Sequence, residues 1–171
     1  AGKTTVKEMM AAILSRRGNV LATQGNFNND IGVPLTMLRL TEQHQYAVLE
    51  LGANHQGEIA YTTSLAKPDV AIITNVAPSH LEGFGDVYGV ARAKGEIFNG
   101  LPPQGVAIVP ADSEYRDYWL RRLDTKPVLQ FSAANPADYY AENIVLDHQG
   151  CAGFELVCPA GRQAVQLTIP G

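Results

Sequence analysis

The chain has 171 residues, of which 46% are hydrophobic and 18% are charged. This length supports one well-packed core and is short for two ordinary domains, and the composition is that of a globular protein. The net charge of −4 argues against binding to nucleic acid or to an anionic membrane, since both usually require a basic surface. The sequence contains neither a signal peptide nor an apolar run of the roughly 18–20 residues that a membrane helix needs.

The cysteines and the two ends of the chain give further expectations. Cys151 and Cys158 are too far apart for a CxxC redox motif or a zinc knuckle, and we expect both to be reduced and partly buried in strands. Reduced cysteines are typical of a cytoplasmic protein, which is what we expect here. Separately, we expect the protein to be a monomer. Because the chain begins at Ala1 without a methionine and stops at Pro170–Gly171, we expect it to be part of a longer protein.

Hydrophobic spacing predicts helices that alternate with strands over most of the chain. Apolar residues at i, i+3, i+4, i+7 and i+8 from Val6 to Leu14 predict an amphipathic helix, and Gly18 is placed to end it. In chain order, the sequence then predicts a strand at 19–22, a polar loop at 25–32, a helix at 34–40, a strand at 46–51, a helix at 57–66, a strand at 69–74, a loop at 75–85, a helix at 86–99, a strand at 105–109, a helix at 113–123 capped by Ser113, and a strand at 128–131.

The pattern changes in the last third of the chain. From Tyr139 onward, strands follow one another without helices, and Val165, Leu167 and Ile169 alternate strictly with polar residues. The sequence therefore predicts an α/β fold with a P-loop-like, mostly parallel sheet flanked by helices, and a small antiparallel β meander at the C-terminal end.

The first residues carry a candidate phosphate-binding signal. Gly2-Lys3-Thr4 at the start of a helix matches the end of the P-loop pattern GxxxxGK[ST]. In that pattern backbone N–H groups hold phosphates, the lysine reaches the β- and γ-phosphates, and the hydroxyl binds Mg²⁺. The first part of the loop and the strand before it are missing here. GKT alone also occurs by chance at helix starts, and it is the α/β context that favours nucleotide binding.

Two further polar residues follow buried strands. Glu50 ends an otherwise apolar segment, and His80 lies in the loop after the strand at 69–74. Ligands of open α/β sheets bind at the carboxyl ends of the strands, where a carboxylate can bind Mg²⁺ beside a nucleotide. A solvated glutamate and an ordinary surface histidine are the alternative interpretations, and neither residue alone decides between them.

Lys94 lies on the apolar side of the predicted helix at 86–99. Val90 precedes it by four residues and Ile97 follows it by three, so all three share one face. An inward lysine is costly unless it is paired or chemically altered, although a lysine at the helix edge can also extend to solvent.

Together these segments resemble the Mur ligase family, and within it the branch that adds D-alanyl-D-alanine to a peptidoglycan precursor. The resemblance implies that residues 1–171 form a single central ATP-binding domain, without the start of the P-loop and without the N- and C-terminal domains of the parent. Residues 101–171 add little motif content. The matching stretches, in the order of the family, are GKTTVKEM (2–9), GNFNNDIGVP (25–34), ELGANHQGEI (50–59), NVAPSHLEGFGD (75–86) and AKGEIF (93–98).

The resemblance also implies roles for the residues at the start of the chain. Lys3, with Gly2 and Thr5, would contact the ATP phosphates. Thr4 would also contact the phosphates and, with Glu50, would hold one Mg²⁺.

Further roles are implied for residues of the later motifs. His80 would be a ligand of a second Mg²⁺. Lys94 matches a lysine that is carbamylated in many Mur ligases, and the added carboxylate would bind that second metal. Lys3, His80 and Lys94 are therefore the implied catalytic residues. Asn26 and Asn29 would lie near the γ-phosphate and the acyl substrate, and Asn54 and His55 would face the same cleft.

The implied reaction is ATP-dependent amide formation from two small molecules, UDP-MurNAc-tripeptide and D-Ala-D-Ala. The tripeptide carboxylate would take the γ-phosphoryl group and become an acyl phosphate, which the amine of D-Ala-D-Ala would attack. Because the family's C-terminal domain closes over ATP, the 171 residues alone are expected to have little or no ligase activity.

Three alternatives remain open on the sequence. Folylpolyglutamate synthase shares the fold and the acyl-phosphate chemistry, but NNDIGVP and HLEGFGD fit it less well. A P-loop kinase or a GTPase-like switch would need GKT and an acid at a strand end, but not His80 or Lys94. A non-catalytic nucleotide-binding module is the third alternative. The third residue of the tripeptide is not determined by this part of the chain.

Overall fold

The computed structural model describes residues 2–78 and 80–171, so Ala1 and Ser79, which belong to the segments discussed above, lie outside the described residues. Helices and strands alternate up to residue 132, as the sequence predicts, and strands alone follow. The elements are α1 Lys3–Ser15, β1 Val20–Ala22, α2 Gly32–Met37, β2 Tyr46–Val48, α3 Glu58–Ala66, β3 Val70–Ile72, α4 Leu81–Phe84, α5 Val87–Gly95, a 3₁₀ helix Glu96–Gly100, β4 Val106–Pro110, α6 Arg116–Leu123, β5 Val128–Ser132, β6 Tyr139–Leu146, β7 Cys151–Cys158 and β8 Gly161–Pro170.

The described strands form two sheets. A 2-stranded sheet pairs β1 with β2 in parallel, and a 6-stranded sheet has the order β3-β4-β5-β6-β7-β8. Pairing is parallel from β3 to β6 and antiparallel from β6 to β8. The predicted α/β fold with a C-terminal antiparallel meander is therefore confirmed. The meander is continuous with the larger sheet, because β6 pairs with the end of β5 at Phe131 and Ser132 before it runs on.

The main core lies where α5, the 3₁₀ helix and α6 cover β3 and β4. Trp119 of α6 is fully buried, and its indole N–H donates a hydrogen bond of 3.0 Å to the carbonyl oxygen of Ala91 on α5. A buried indole N–H without such a partner would be costly, so this bond fixes the position of α5 against α6. Buried members of this core include Ala71, Ile73, Phe98, Leu101, Ala107, Val109 and Leu123.

Several boundaries differ from the sequence prediction. Helix α2 begins at Gly32 instead of residue 34, because the Asn29 side chain accepts hydrogen bonds from the N–H groups of Ile31 and Gly32. The predicted loop at 75–85 contains the short helix α4. The predicted helix at 86–99 begins as expected, with the Asp86 side chain accepting a hydrogen bond from the Gly89 N–H, but from Glu96 onward it is a 3₁₀ helix. A local hydrogen bond from a side chain can thus move a helix start, which hydrophobic spacing does not register.

Two other boundaries bear on the site. Strand β2 ends at Val48, so Glu50 lies beyond the strand end and not within it. Helix α6 begins at Arg116 with Tyr115 as the capping residue, and Ser113 instead accepts a hydrogen bond from the Tyr115 N–H in the preceding turn.

Cys151 is buried, Cys158 is half-buried, and both are free thiols in β7, as the sequence predicts. Within residues 2–78 and 80–171, no helix has both the length and the apolar character needed to cross a bilayer.

Candidate functional site

The N-terminus of α1 is shaped for an anion. Gly2 precedes the helix with φ of 77°, a left-handed conformation that glycine adopts without steric cost, and no side chain caps the first turn within the described residues. The N–H groups of that turn therefore keep their hydrogen-bonding capacity, and the helix dipole adds positive potential. Lys3 is half-buried there, while Thr4 and Thr5 are exposed. The phosphate-binding role of residues 2–5 stays a prediction, and this end of the helix has the geometry that it requires.

Thr4 and Glu50 meet although they are far apart in the sequence. The Thr4 hydroxyl donates a hydrogen bond of 3.0 Å to Oε2 of Glu50. Glu50 follows β2 at its carboxyl end and is only 6% exposed, so its carboxylate is held in place and is largely shielded from solvent. A hydroxyl and a carboxylate oxygen at this distance are hard oxygen donors of the type that Mg²⁺ prefers. The predicted pair for the first metal is thus brought together.

Asn28, which the sequence analysis did not single out, completes the surroundings of Glu50. Its side-chain N–H donates a hydrogen bond of 3.0 Å to Oε1 of Glu50, and its side chain lies against Gly52. A Cβ at Gly52 would come within 3.1 Å of the Asn28 side chain, so glycine makes this close packing possible. Of the asparagines that were predicted, Asn29 begins α2 through its side-chain oxygen, and Asn26 is exposed to solvent.

Lys94 is half-buried on α5, as its register in the sequence predicts. Its ammonium group donates a hydrogen bond of 3.0 Å to the carbonyl oxygen of Asn75, in the loop that follows β3. Burial and, secondly, the nearby positive charge of Lys3 lower the pKa of Lys94 from 10.5 to about 8. The structure therefore brings the side chains of Lys3 and Lys94 into one electrostatic environment and gives Lys94 a readily deprotonated amine.

The loop after β2 and the helix α4 pack against each other. A Cβ at Gly83 would lie 2.0 Å from the Asn54 carbonyl oxygen, so only glycine allows the observed approach. His55 pairs with Glu58 at 3.2 Å and is exposed. His80 precedes α4 with φ of 50°, is exposed, and meets the Phe84 ring edge-on at 6.5 Å between centroids. Asn54, His55 and helix α4, which begins just after His80, are thus adjacent, at the carboxyl ends of β2 and β3.

Glu96 and Gln56 hold this loop in place, and neither was predicted. The Glu96 carboxylate accepts hydrogen bonds of 2.9 Å from the N–H groups of Gly57 and Ala60, at the start of α3. The Gln56 side chain donates a hydrogen bond of 2.6 Å to the carbonyl oxygen of Gly89 on α5. A negative charge at a helix N-terminus is stabilising, and here it comes from a different helix. A local sequence pattern does not show such a partner.

Among the described residues, the atoms near Glu50 that are suited to bind a cation include the hydroxyl oxygen of Thr4 and the carboxylate oxygens of Glu50 itself. In the part of the chain that the structure describes, no three His, Cys, Asp or Glu side chains come together as a metal cluster. Transition-metal sites need several such ligands, whereas Mg²⁺ bound beside a nucleotide needs only one or two protein oxygens, with phosphates and water supplying the others. Thr4 and Glu50 fit Mg²⁺ with a nucleotide, and do not fit a metal held by protein ligands alone.

Comparison with known proteins gives one consistent family. Residues 1–171 match the Mur ligase middle domain. The UDP-N-acetylmuramoyl-tripeptide--D-alanyl-D-alanine ligase of Escherichia coli (strain K12) is 54% identical over 173 residues, covering 100% of this chain and 38% of that protein.

Solved structures agree with the sequence comparison. A crystal structure of MurF from Acinetobacter baumannii superimposes with a TM-score of 0.95 at 44% identity, covering 100% of this chain and 37% of that one. A MurF ligase from Thermotoga maritima in complex with ADP superimposes with a TM-score of 0.84 at 28% identity, covering 97% of this chain and 38% of that one. The chain therefore spans 37% to 38% of the length of these relatives.

Proposed function

The chain belongs to the Mur ligase family as its middle domain, and from this premise we propose that it is the ATP- and Mg²⁺-binding part of a longer ligase that adds D-alanyl-D-alanine to UDP-MurNAc-tripeptide. The product would be a peptidoglycan precursor, made in the cytoplasm by a monomeric enzyme. The contact between Thr4 and Glu50 carries the proposal, because it brings two oxygen donors of the type that Mg²⁺ prefers to the N-terminus of α1.

The residues at the start of the chain would bind the nucleotide. The free N–H groups of residues 2–5 and the Lys3 ammonium would hold its phosphates, and Thr4 with Glu50 would hold the first Mg²⁺. When bound, ATP supplies the phosphoryl group, and Mg²⁺ neutralises the charge that builds up on its oxygens. Asn26 and Asn29 would face the γ-phosphate and the acyl substrate, from the loop whose Asn28 holds Glu50.

Lys94 and His80 would form the second metal position. The pKa of Lys94, lowered to about 8, leaves an appreciable share of neutral amine near neutral pH. A neutral amine can add CO₂, forming an N–C bond and releasing one proton, and the carbamate so formed is an anionic oxygen ligand. We propose this modification for Lys94, with His80 as the second protein ligand.

The substrates would then react in two steps. The tripeptide carboxylate attacks the γ-phosphorus and ADP leaves, which converts a poor electrophile into an acyl phosphate. The amine of D-Ala-D-Ala attacks the carbonyl carbon, phosphate leaves, and the amine loses its proton. Both steps crowd negative oxygens together, and the Lys3 ammonium and the bound Mg²⁺ would stabilise that charge.

Phosphate release by the full-length protein tests the proposal. We expect release with ATP and UDP-MurNAc-tripeptide to depend on D-Ala-D-Ala, and the 171 residues alone to show no turnover. A folate carboxylate with glutamate as the amine acceptor serves as the matched alternative pair. Release with that pair alone would replace the proposal with folylpolyglutamate synthesis, and release that ignores every acceptor would replace it with a nucleotide switch.

A further inference from the structure

Lys7 is a buried lysine that the proposed reaction does not use. It lies one helical turn after Lys3 on α1 and is only 4% exposed. Its ammonium donates a hydrogen bond of 2.6 Å to the carbonyl oxygen of Thr23 and pairs with Glu8 at 2.7 Å. Since a buried ammonium is costly unless it is paired and hydrogen-bonded, this lysine points to a specific structural requirement at Thr23.

Thr23 stands at the point where the parallel ladder of β1 and β2 ends. Its N–H donates to the Val48 carbonyl oxygen at 3.1 Å, as a ladder residue does. In a regular parallel ladder the N–H of Glu50 would then donate to the carbonyl oxygen of Thr23. Instead, the Glu50 N–H donates a hydrogen bond of 2.9 Å to the Thr23 hydroxyl. The Thr23 carbonyl oxygen accepts its hydrogen bond from the Lys7 ammonium.

This exchange of partners has a direct consequence for Glu50. Its backbone, two residues beyond the end of β2, is held by a side-chain hydroxyl rather than by the next ladder position, and its carboxylate meets Thr4 and Asn28. Thr23 is only 1% exposed, so water does not compete readily for its hydroxyl. The Lys7 ammonium binds the Thr23 carbonyl oxygen, which would otherwise compete with the Thr23 hydroxyl for the Glu50 N–H.

We propose that Lys7 and Thr23 form a buried positioning pair that sets the Glu50 carboxylate for Mg²⁺. The inference rests on the proposed function, in which Glu50 is a Mg²⁺ ligand. The pair acts through Glu50 and contacts neither the metal nor the nucleotide. Its loss should therefore weaken the part of nucleotide affinity that depends on the metal, and should leave metal-free nucleotide affinity unchanged.

The test uses the full-length protein with MnCl₂ as a spectroscopic probe and a non-hydrolysable ATP analogue. Thr23→Val removes the hydroxyl at nearly constant volume, and Thr23→Ser retains it. We expect Thr23→Val to weaken Mn²⁺ binding in the nucleotide complex roughly 10-fold, as loss of a group that orients a metal ligand does, and Thr23→Ser to restore most of it. Nucleotide affinity in EDTA should be equal in all three proteins.

Lys7→Met gives an independent variant, and Thr62→Val serves as the matched control. Lys7→Met frees the Thr23 carbonyl for the Glu50 N–H, and should weaken Mn²⁺ binding in the same way as Thr23→Val. Thr62 is also a fully buried threonine, but its hydroxyl bonds within α3. Equal loss of affinity with and without metal, or Thr23→Val matching Thr62→Val, would overturn the positioning role.

The outcome also separates this inference from the proposed function. If the parent protein binds the nucleotide equally with and without metal, the proposed function fails and the inference fails with it. If the parent shows metal-dependent binding that Glu50→Gln abolishes, the function holds, and unchanged Mn²⁺ affinity in both Thr23→Val and Lys7→Met overturns the positioning pair alone.

Discussion

The hydroxyl of Thr4 donates a hydrogen bond of 3.0 Å to the carboxylate of Glu50, 46 positions away in the sequence. One residue lies in the first turn of α1 and the other lies just beyond β2, so the sheet and the helix together create the pair. The contact joins the N-terminal end of α1 to a buried acidic oxygen, and five predictions concern this arrangement and its neighbours.

Glu50→Gln should abolish metal-dependent nucleotide binding and lower the rate of phosphate release at least roughly 100-fold, because metal stabilisation of developing charge is worth several kcal/mol. The amide keeps the shape of the side chain but removes the negative charge that would bind Mg²⁺ in the proposed site. Titration of activity against Mg²⁺ measures the effect. Glu42→Gln, at an exposed loop position, is the control and should behave as the parent. A Glu50→Gln protein with an unchanged Mg²⁺ requirement would contradict the assignment.

Asn28→Ala should raise the Mg²⁺ concentration needed for half-maximal activity roughly 10-fold, since the amide orients one oxygen of Glu50. The maximal rate at saturating Mg²⁺ should change less, because the carboxylate itself remains. Asn99→Ala is the matched control, at an exposed position whose side chain contacts Arg122. The same Mg²⁺ requirement in both variants would show that the hydrogen bond from Asn28 to Glu50 does not contribute to Mg²⁺ binding.

Lys94→Ala should lower activity at least roughly 100-fold, and formate or acetate should restore part of it by supplying the missing carboxylate oxygens. In the parent, ¹³C NMR with ¹³CO₂ should show a carbamate signal that grows as the pH rises towards about 8, because only the neutral amine reacts. Lys126→Ala should retain both activity and signal. A Lys94→Ala protein that is fully active, or one that no small acid rescues, would count against the carbamate.

Lys94→Met should stabilise the protein in CO₂-free buffer at pH 7. The ammonium is disfavoured in the folded state, where burial and then Lys3 lower the pKa from 10.5 to about 8. Below a pH of about 8, Lys94 is charged in the folded protein, which bears the full cost of that charge. Between pH 8 and 10.5 the unfolded chain binds more protons than the folded protein, so the free energy of unfolding of the parent increases as the pH rises.

Urea unfolding at several pH values measures this difference. The advantage of Lys94→Met should be on the order of 1 kcal/mol at pH 7, allowing for solvent screening at a half-exposed amine, and should shrink towards pH 10. Lys126→Met is the control for the change from lysine to methionine. An advantage that grows with pH would have the wrong sign for a lysine whose pKa is lowered.

Gly83→Ala should destabilise the contact between α4 and the loop after β2. The new methyl group would lie 2.0 Å from the Asn54 carbonyl oxygen, so one of the two segments must move. We expect a loss of about 1–3 kcal/mol in the free energy of unfolding, together with reduced activity because His80 moves with α4. Glu82→Ala, exposed on the same helix, should change stability by less than about 0.5 kcal/mol.

Periodicity determined the fold class from the sequence alone, and short motifs identified the residues of the candidate site. The apolar repeat of α1, the alternation in β8 and the inward register of Lys94 are encoded within a few consecutive turns or residues, so they can be read locally. GKT and the acid after β2 indicated a nucleotide and metal site for the same reason. The strand-to-helix order then implied that the carboxyl ends of the strands would meet.

Only the tertiary structure decided which polar side chains support that site. Asn28 rather than Asn26 or Asn29 contacts Glu50, and the buried ammonium of Lys7 is matched to the carbonyl oxygen of Thr23. These partners lie 22 and 16 positions apart, and their pairing depends on how helices pack against strands. Hydrophobic spacing specifies which face of an element is buried, but a hydrogen bond between elements also requires their relative position, which packing of the whole core sets.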